Sequence, residues 1–146
     1  ILYNHESPRR GENFVTQKIV RSAAEIAAGK KDSLELGNLE IERDWGHAKD
    51  YVEGMWLMLQ QEKPNDYVLA TGETHSLTDF LSLAFEYFQL DYRDFVSINK
   101  RFVRPNEPQR LCGAPSKARS MLGWETTYSF EGIIQEMCLS AKTGII

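Results

Sequence analysis

The stretch NHESPRRGENFVTQKIV, residues 4–20, changes character half-way along. Its first part is polar and carries His5, Pro8, Arg9, Arg10 and Gly11, so residues 4–13 read as a loop. Beyond it the spacing turns helical. Asn13 is an N-cap candidate for a helix over about 14–29, and Val15, Ile19, Ala23, Ile26 and Ala27 share one face of it. Gly29 closes the helix. Upstream, ILY at residues 1–3 reads as the end of a buried strand. The motif is therefore strand, cation-bearing loop, helix.

A helix start exposes unpaired N–H groups and a partial positive charge. Placing Arg9 and Arg10 ahead of it, with Lys18 in its first turns, adds repulsion. An anion among them would offset that cost, because phosphate accepts both arginine and backbone donors. The plain alternative is a solvated loop with surface arginines.

Working outward, SLELGN (33–38) reads as a short strand and turn, and DWGH (44–47) as a turn into a helix over about 48–61. In that helix Ala48, Tyr51, Val52, Met55, Trp56 and Leu59 keep helical spacing and read as its core face. DYVLATG (66–72) reads as a buried strand and glycine turn. Ser76 and Asp79 fit a capping box for the next helix, with Leu77, Phe80, Leu81, Ala84, Phe85 and Phe88 inward. Residues 90–115 read as irregular. A short helix over 116–122 ends at Gly123, and a last helix spans about 129–142. Helices dominate, with two or three short strands.

The 146 residues suffice for one domain with a sizeable core. A net charge of −4 gives no global basic field of the kind a nucleic-acid binder carries, so no nucleic-acid partner is expected and anion binding must be local. No apolar run approaches the about 18 residues of a membrane span. Cys112 and Cys138 form no CxxC and read as reduced thiols; His5, His47 and His75 are isolated, so no metal is expected. The chain opens on Ile1, with an apolar pair running straight into the motif, and is expected to be a piece of a longer protein.

Two further cationic clusters stand out. In ERDWGHAKDY, Arg43 could face an anion and Asp44 could cap the following helix. In RFVRPNEPQR, a proline-stiffened loop holds Arg101, Arg104 and Arg110 near Glu107, a set able to grip a diphosphate and a ribose hydroxyl, or to form plain surface. No nucleophile–base pair appears, and no Gly-rich phosphate loop follows a strand.

NHESPRRGENFVTQKI, LGNLEIERDWGHAKDYVEGMWLMLQQ and DYVLATGETHSLTDF closely resemble the GDP-mannose 4,6-dehydratases of the extended short-chain dehydrogenase/reductase superfamily. The resemblance implies an α/β fold: a mainly helical substrate-binding portion with a few short strands, belonging to a Rossmann-type enzyme whose N-terminal half is absent. Residues 1–13 would be the end of a Rossmann strand and the cofactor and substrate loop, and residues 14–146 the GDP-sugar-binding portion. The activity implied is an NADP-dependent lyase reaction. A hydride leaves C4 of GDP-mannose, water leaves across C5–C6, and the hydride returns at C6, giving GDP-4-keto-6-deoxy-mannose for GDP-fucose and related deoxysugars.

On the same resemblance His5 and Arg10 match NADP contacts. Asn13, Phe14, Val15 and Lys18 match the segment lining the GDP-mannose site, and Leu36, Gly37 and Asn38 a turn near the nucleotide. Arg43 matches an arginine on the nucleotide portion, and Arg104 and Glu107 match diphosphate and ribose contacts. The family's glycine-rich loop, Tyr-x-x-x-Lys pair and Thr/Glu acid–base residues are missing, so these residues alone are expected to be inactive. Residues 90–104 are short for the family, and Ala114 stands where Asp is usual. A cytoplasmic protein is implied, forming a homodimer or homotetramer at full length. A non-catalytic GDP-sugar-binding module, or an enzyme acting on another nucleotide sugar, are the alternatives. An isolated half would also expose apolar surface and self-associate.

Overall fold

The computed structural model describes residues 1–144. In chain order the elements are β1 (Asn4–Glu6), α1 (Val15–Ala27), β2 (Leu34–Leu36), β3 (Glu42–Arg43), β4 (Trp45–His47), α2 (Ala48–Leu59), β5 (His75–Ser76), α3 (Leu77–Tyr87), β6 (Val96–Ile98), β7 (Arg110–Leu111), α4 (Ser116–Leu122) and α5 (Phe130–Thr143). This is the α/β, mainly helical architecture expected.

The main core forms where α1, α3 and α5 bury their apolar faces on one another. Ile19, Val20 and Ala23 meet Phe80, Leu81, Ala84 and Phe85, with Ile133, Ile134 and Met137 closing the layer. Each large apolar side chain buried there contributes about 1.5–3 kcal/mol. Trp45 enters this core from β4, its ring 5.6 Å from Phe80 and 5.8 Å from Phe130. A second, smaller core of Tyr51, Tyr67, Leu69, Ala118, Leu122 and Trp124 lies between α2 and α4.

The strands are short and their pairing is largely non-local. β1 pairs β4 in parallel, with Asn4 opposite Trp45 and Glu6 opposite His47. β2 pairs β6 in parallel. β3 is the centre of a three-stranded sheet, antiparallel to β5 and parallel to β7. An isolated parallel bridge joins Leu2 to Leu69.

Local signals survive well. The Ser76–Asp79 capping box is formed on both sides, and Gly123 ends α4 in the left-handed conformation. Several expectations are corrected. Phe14 N–H bonds back to Gly11 O at 3.1 Å, closing a turn that contains Asn13, so the helix starts at Val15 and Asn13 does not cap it. Residues 44–47 are not a turn, because pairing with β1 extends Trp45–His47. Asp44 does not cap α2. The cap is His47, whose Nδ1 accepts the Lys49 N–H at 3.1 Å. Residues 90–115 are not wholly irregular, since β6 and β7 find partners far back in the chain. Ile1 and Leu2 are exposed rather than buried, and so is most of the face assigned to α2. Cys138 is buried, and burial pushes its thiol up to about 12; Cys112 is exposed.

Asp44 is fully buried and ties three segments together. Its Oδ1 accepts Thr71 N–H and Thr71 Oγ1–H, both at 2.8 Å. Its Oδ2 accepts Gly72 N–H at 3.0 Å and Gly113 N–H at 3.1 Å. Gly113 is needed for this approach, because a Cβ there would lie 2.1 Å from the Ala70 Cβ. Asp44→Asn offers one accepting oxygen, and its amide hydrogens must face donors. A loss of about 2–3 kcal/mol is expected, read as a lower urea midpoint at unchanged slope.

Candidate functional site

Lys18 reaches from α1 to the middle of β2. Its Nζ donates to Glu35 O at 2.7 Å and stands 4.4 Å from the centre of the Phe102 ring. Arg101 approaches the same ring at 5.1 Å. Phe102 remains 40% exposed, so one aromatic surface is open beside two cations. Partial burial, reinforced by Lys31, holds the Lys18 ammonium below its ordinary pKa, and Arg101 adds to this against Glu35. Leu36, Gly37 and Asn38 form the neighbouring turn. Leu36 O accepts Asn99 N–H at 2.7 Å, and a Cβ on Gly37 would lie 2.5 Å from Phe102 O. Only glycine lets residues 37 and 102 lie this close.

From Phe102 the chain runs through Val103 to the proline loop, and Arg43 receives it from β3. The Arg43 guanidinium donates from Nη1 to Glu42 O at 2.7 Å and Pro108 O at 3.0 Å, and from Nη2 to Glu107 Oε1 at 3.0 Å. The side chain is almost fully enclosed. Arg104 is exposed and has no hydrogen bond or ion pair among the described residues. The fold therefore brings Lys18, the Leu36–Asn38 turn, Arg43, Arg104 and Glu107 along one continuous segment, residues 99–109.

A second group surrounds the loop after β1. His5 donates from Nδ1 to Tyr3 O at 2.8 Å, and its ring stacks on Tyr51 with centroids 5.1 Å apart. Arg10 donates to His5 O at 3.3 Å and lies over the Phe14 ring at 3.5 Å. It also forms an ion pair with Glu6 at 3.3 Å, with its Nε–H not aligned on the oxygen. Val15 begins the helix beside Phe14, which is half exposed, and Asn13 is exposed next to it. No hydrogen bond or ring contact among the described residues joins this group to Arg43. A cleft of about 470 Å³ lies elsewhere, at the C-terminal end of α1 among Arg21, Glu25, Phe88 and Lys142.

Sequence reasoning missed Glu6 and Phe102. Glu6 is a buried carboxylate, accepting Thr16 Oγ1–H at 2.6 Å. The only available signal was an acid four residues before Arg10 in a stretch read for its cations. Phe102 could have been found as the aromatic between cations in KRFVR.

Residues 1–137 match the family model described as GDP-mannose 4,6 dehydratase. The chain belongs to that family. GDP-mannose 4,6 dehydratase 1 of Arabidopsis thaliana is 55% identical over 137 residues, covering 94% of this chain and 38% of that protein. The GDP-mannose 4,6 dehydratase of Dictyostelium discoideum is 47% identical over 154 residues, covering 94% and 43%. The chain thus spans about two-fifths of the length of these relatives. Among solved structures, RMD from Pseudomonas aeruginosa complexed with NADPH superposes with a TM-score of 0.89 at 17% identity, covering 98% of this chain and 47% of that one. The dTDP-glucose 4,6-dehydratase of Bacillus anthracis in complex with NAD gives 0.82 at 16% identity, covering 97% and 43%. These likenesses establish a shared fold.

Two outcomes follow from the geometry. Arg43→Gln, and equally Arg43→Lys, cannot hold three carbonyls and a carboxylate at once. The proline loop loosens from β3, and exchange of the Glu42 and Asp44 amides, which bond to Gln109 O and Leu111 O, quickens about tenfold, equivalent to about 1.4 kcal/mol. Glu6 offers a pH test. Burial, partly offset by the Thr16 hydrogen bond and by Arg10 and His5, raises its carboxyl above the ordinary 4.5. The folded state then binds this proton more tightly than the unfolded chain. The stability of the native protein relative to Glu6→Gln is therefore greatest below pH 4.5 and falls as pH rises through the raised value, read from denaturation midpoints across that range.

Proposed function

We propose that the chain supplies the GDP-sugar side of an NADP-dependent GDP-mannose 4,6-dehydratase. The observation that carries this reading is the convergence of Lys18, the Leu36–Asn38 turn, Arg43, Arg104 and Glu107 along residues 99–109, in a member of that family. The whole reaction oxidises C4, removes water across C5–C6 and reduces C6, so it is redox-neutral overall.

In this reading Arg104, having no partner among the described residues, takes the diphosphate first. Arg43 is held by Glu107 at rest. A diphosphate carries more charge than one carboxylate and competes for the guanidinium, which frees Glu107 to accept from ribose hydroxyls. Lys18, beside the open Phe102 ring, meets the nucleotide together with Leu36, Gly37 and Asn38. Asn13, Phe14 and Val15 line the sugar side.

NADP, when bound, supplies the hydride acceptor and returns the hydride. His5 and Arg10 fit a share of its site: His5 Nε2 is a spare polar atom, and Arg10 is a partly exposed cation held in place by Glu6 and His5 O. The chain has no Tyr-x-x-x-Lys pair, so by itself it binds and orients without turning over. The reading also carries a homodimer or homotetramer, a cytoplasmic setting and a product destined for GDP-fucose and related deoxysugars. Among the described residues no helix is long and apolar enough to cross a membrane.

Titration calorimetry with GDP-mannose, and with GDP and UDP-glucose as controls, tests it. Guanine-selective binding is expected, weakened about tenfold or more by Arg104→Ala or Lys18→Ala, about 1.4 kcal/mol each. A folded sample that binds none of the three, or binds UDP-glucose equally well, would sink the reading.

A further inference from the structure

The surroundings of Phe102 are cationic, since Lys31 and Arg101 both bear on Lys18, yet one acid stands among them. Glu35 lies at the centre of β2, where Leu34 and Leu36 turn inward and its own side chain turns out to solvent. Its backbone carbonyl accepts from Lys18 Nζ at 2.7 Å, and its carboxylate accepts from Asn99 Nδ2 at 3.1 Å. Beside a diphosphate such an acid adds repulsion. It is accounted for if it meets the end of the ligand that carries hydrogen-bond donors.

The backbone fixes where that carboxylate stands. Asn99 donates its N–H to Leu36 O at 2.7 Å and its Nδ2–H to Glu35, while its Oδ1 accepts Arg101 N–H at 3.1 Å. The last bond caps a single helical turn, Lys100–Phe102, that presents the half-open Phe102 ring. Gly37 lets this turn lie directly against the end of β2. Ring, ammonium and carboxylate are therefore tied to one short frame, β2 with residues 99–102. An ionised carboxylate has about four acceptor positions, so the Asn99 bond leaves Glu35 free to accept more.

The three groups ask for different things of a ligand. An exposed aromatic face takes a planar base, an ammonium takes a carbonyl oxygen, and a carboxylate takes N–H donors. Guanine carries all of these on one edge, with O6 beside N1–H and the N2 amino group. Uracil offers one N–H between two carbonyls. Adenine sets a ring-nitrogen acceptor next to its amino group, and a carboxylate opposes that acceptor. We propose that Lys18, Phe102 and Glu35 read the nucleotide base, and that Glu35 is the residue that selects guanine. The inference rests on the GDP-sugar reading and adds to it the group that tells one base from another, since Arg43 and Arg104 meet phosphates that every nucleotide shares.

Titration calorimetry of the 146-residue chain with GDP and with inosine diphosphate, which lacks only the N2 amino group, tests it. The native chain is expected to bind GDP about tenfold more tightly, as one hydrogen bond to a charged acceptor provides. Glu35→Ala, at an exposed position, should bring the two affinities within about twofold of each other, because no acceptor is left to tell them apart. Phe102→Leu should weaken both about tenfold and preserve their ratio, because stacking is indifferent to the amino group. Phe102→Tyr keeps the ring and should restore binding, which separates lost stacking from a disturbed turn. A Glu35 that merely supports the fold would weaken both nucleotides alike and leave their ratio unchanged. That result, or a native chain that binds GDP and inosine diphosphate equally, overturns this inference while the GDP-sugar reading stands. A folded native chain that binds neither overturns both.

Discussion

Asp44 holds a carboxylate out of reach of water, and four donors from two distant segments close on it. The arrangement is costly to form and costly to break, because each N–H would otherwise be buried without an acceptor. Its neighbours in the chain depend on it. Arg43, one residue earlier, points to the proline loop and holds Glu107, Pro108 and Gln109. Trp45, one residue later, stacks into the main core beside Phe80 and Phe130. Three successive residues thus bind the glycine turn at 71–72, the proline loop and the helical layer. Extended backbone makes this possible, since successive side chains leave on opposite faces.

Much of the helical layer was legible in the sequence because its causes are local. The Ser76–Asp79 box, Gly123, and the apolar faces of α1, α3 and α5 need only a few neighbouring residues to be recognised. What was not legible is mostly non-local. β4 looked like a turn because Asp44 and Gly46 are turn formers, and pairing with β1, some forty residues earlier, overrides them. β6 and β7 lie in a stretch rich in proline and charge, and they become strands only because β2 and β3 offer open edges. Periodicity also failed at α2. It reports that a stripe is apolar and says nothing about which stripe this chain can cover.

The candidate site divides in the same way. Its cations were legible because charge clusters are visible in any window. The groups that position them were not. Glu6 is an acid inside a basic stretch, yet its burial under Thr16 and its pairing with Arg10 give that arginine a fixed place. Arg43 read as a free cation, whereas it is the best-satisfied guanidinium of the cluster, bonded to backbone carbonyls no sequence pattern reveals. Arg104 alone matches the simple picture of a charge waiting for a ligand.

This uneven distribution has an electrostatic logic. The protein as a whole is acidic, at −4, yet Lys18, Lys31 and Arg101 are near enough for the ammonium of Lys18 to feel both of the others. Partial burial and like charge together oppose its protonated form, so the folded state tolerates an unfavourable gathering of cations on one side. On the proposed function, a phosphorylated ligand would remove that cost on binding, and the same free energy would appear as added stability of the fold. Arg43 follows the opposite rule. Its charge is already neutralised by Glu107, and its bonds to backbone carbonyls hold the proline loop to β3. The candidate site combines a preformed frame at Arg43, crowded cations around Lys18 and, at Arg104, a charge unpaired among the described residues. On the proposed function, the frame would reduce the ordering needed on binding, and the cations would supply the attraction.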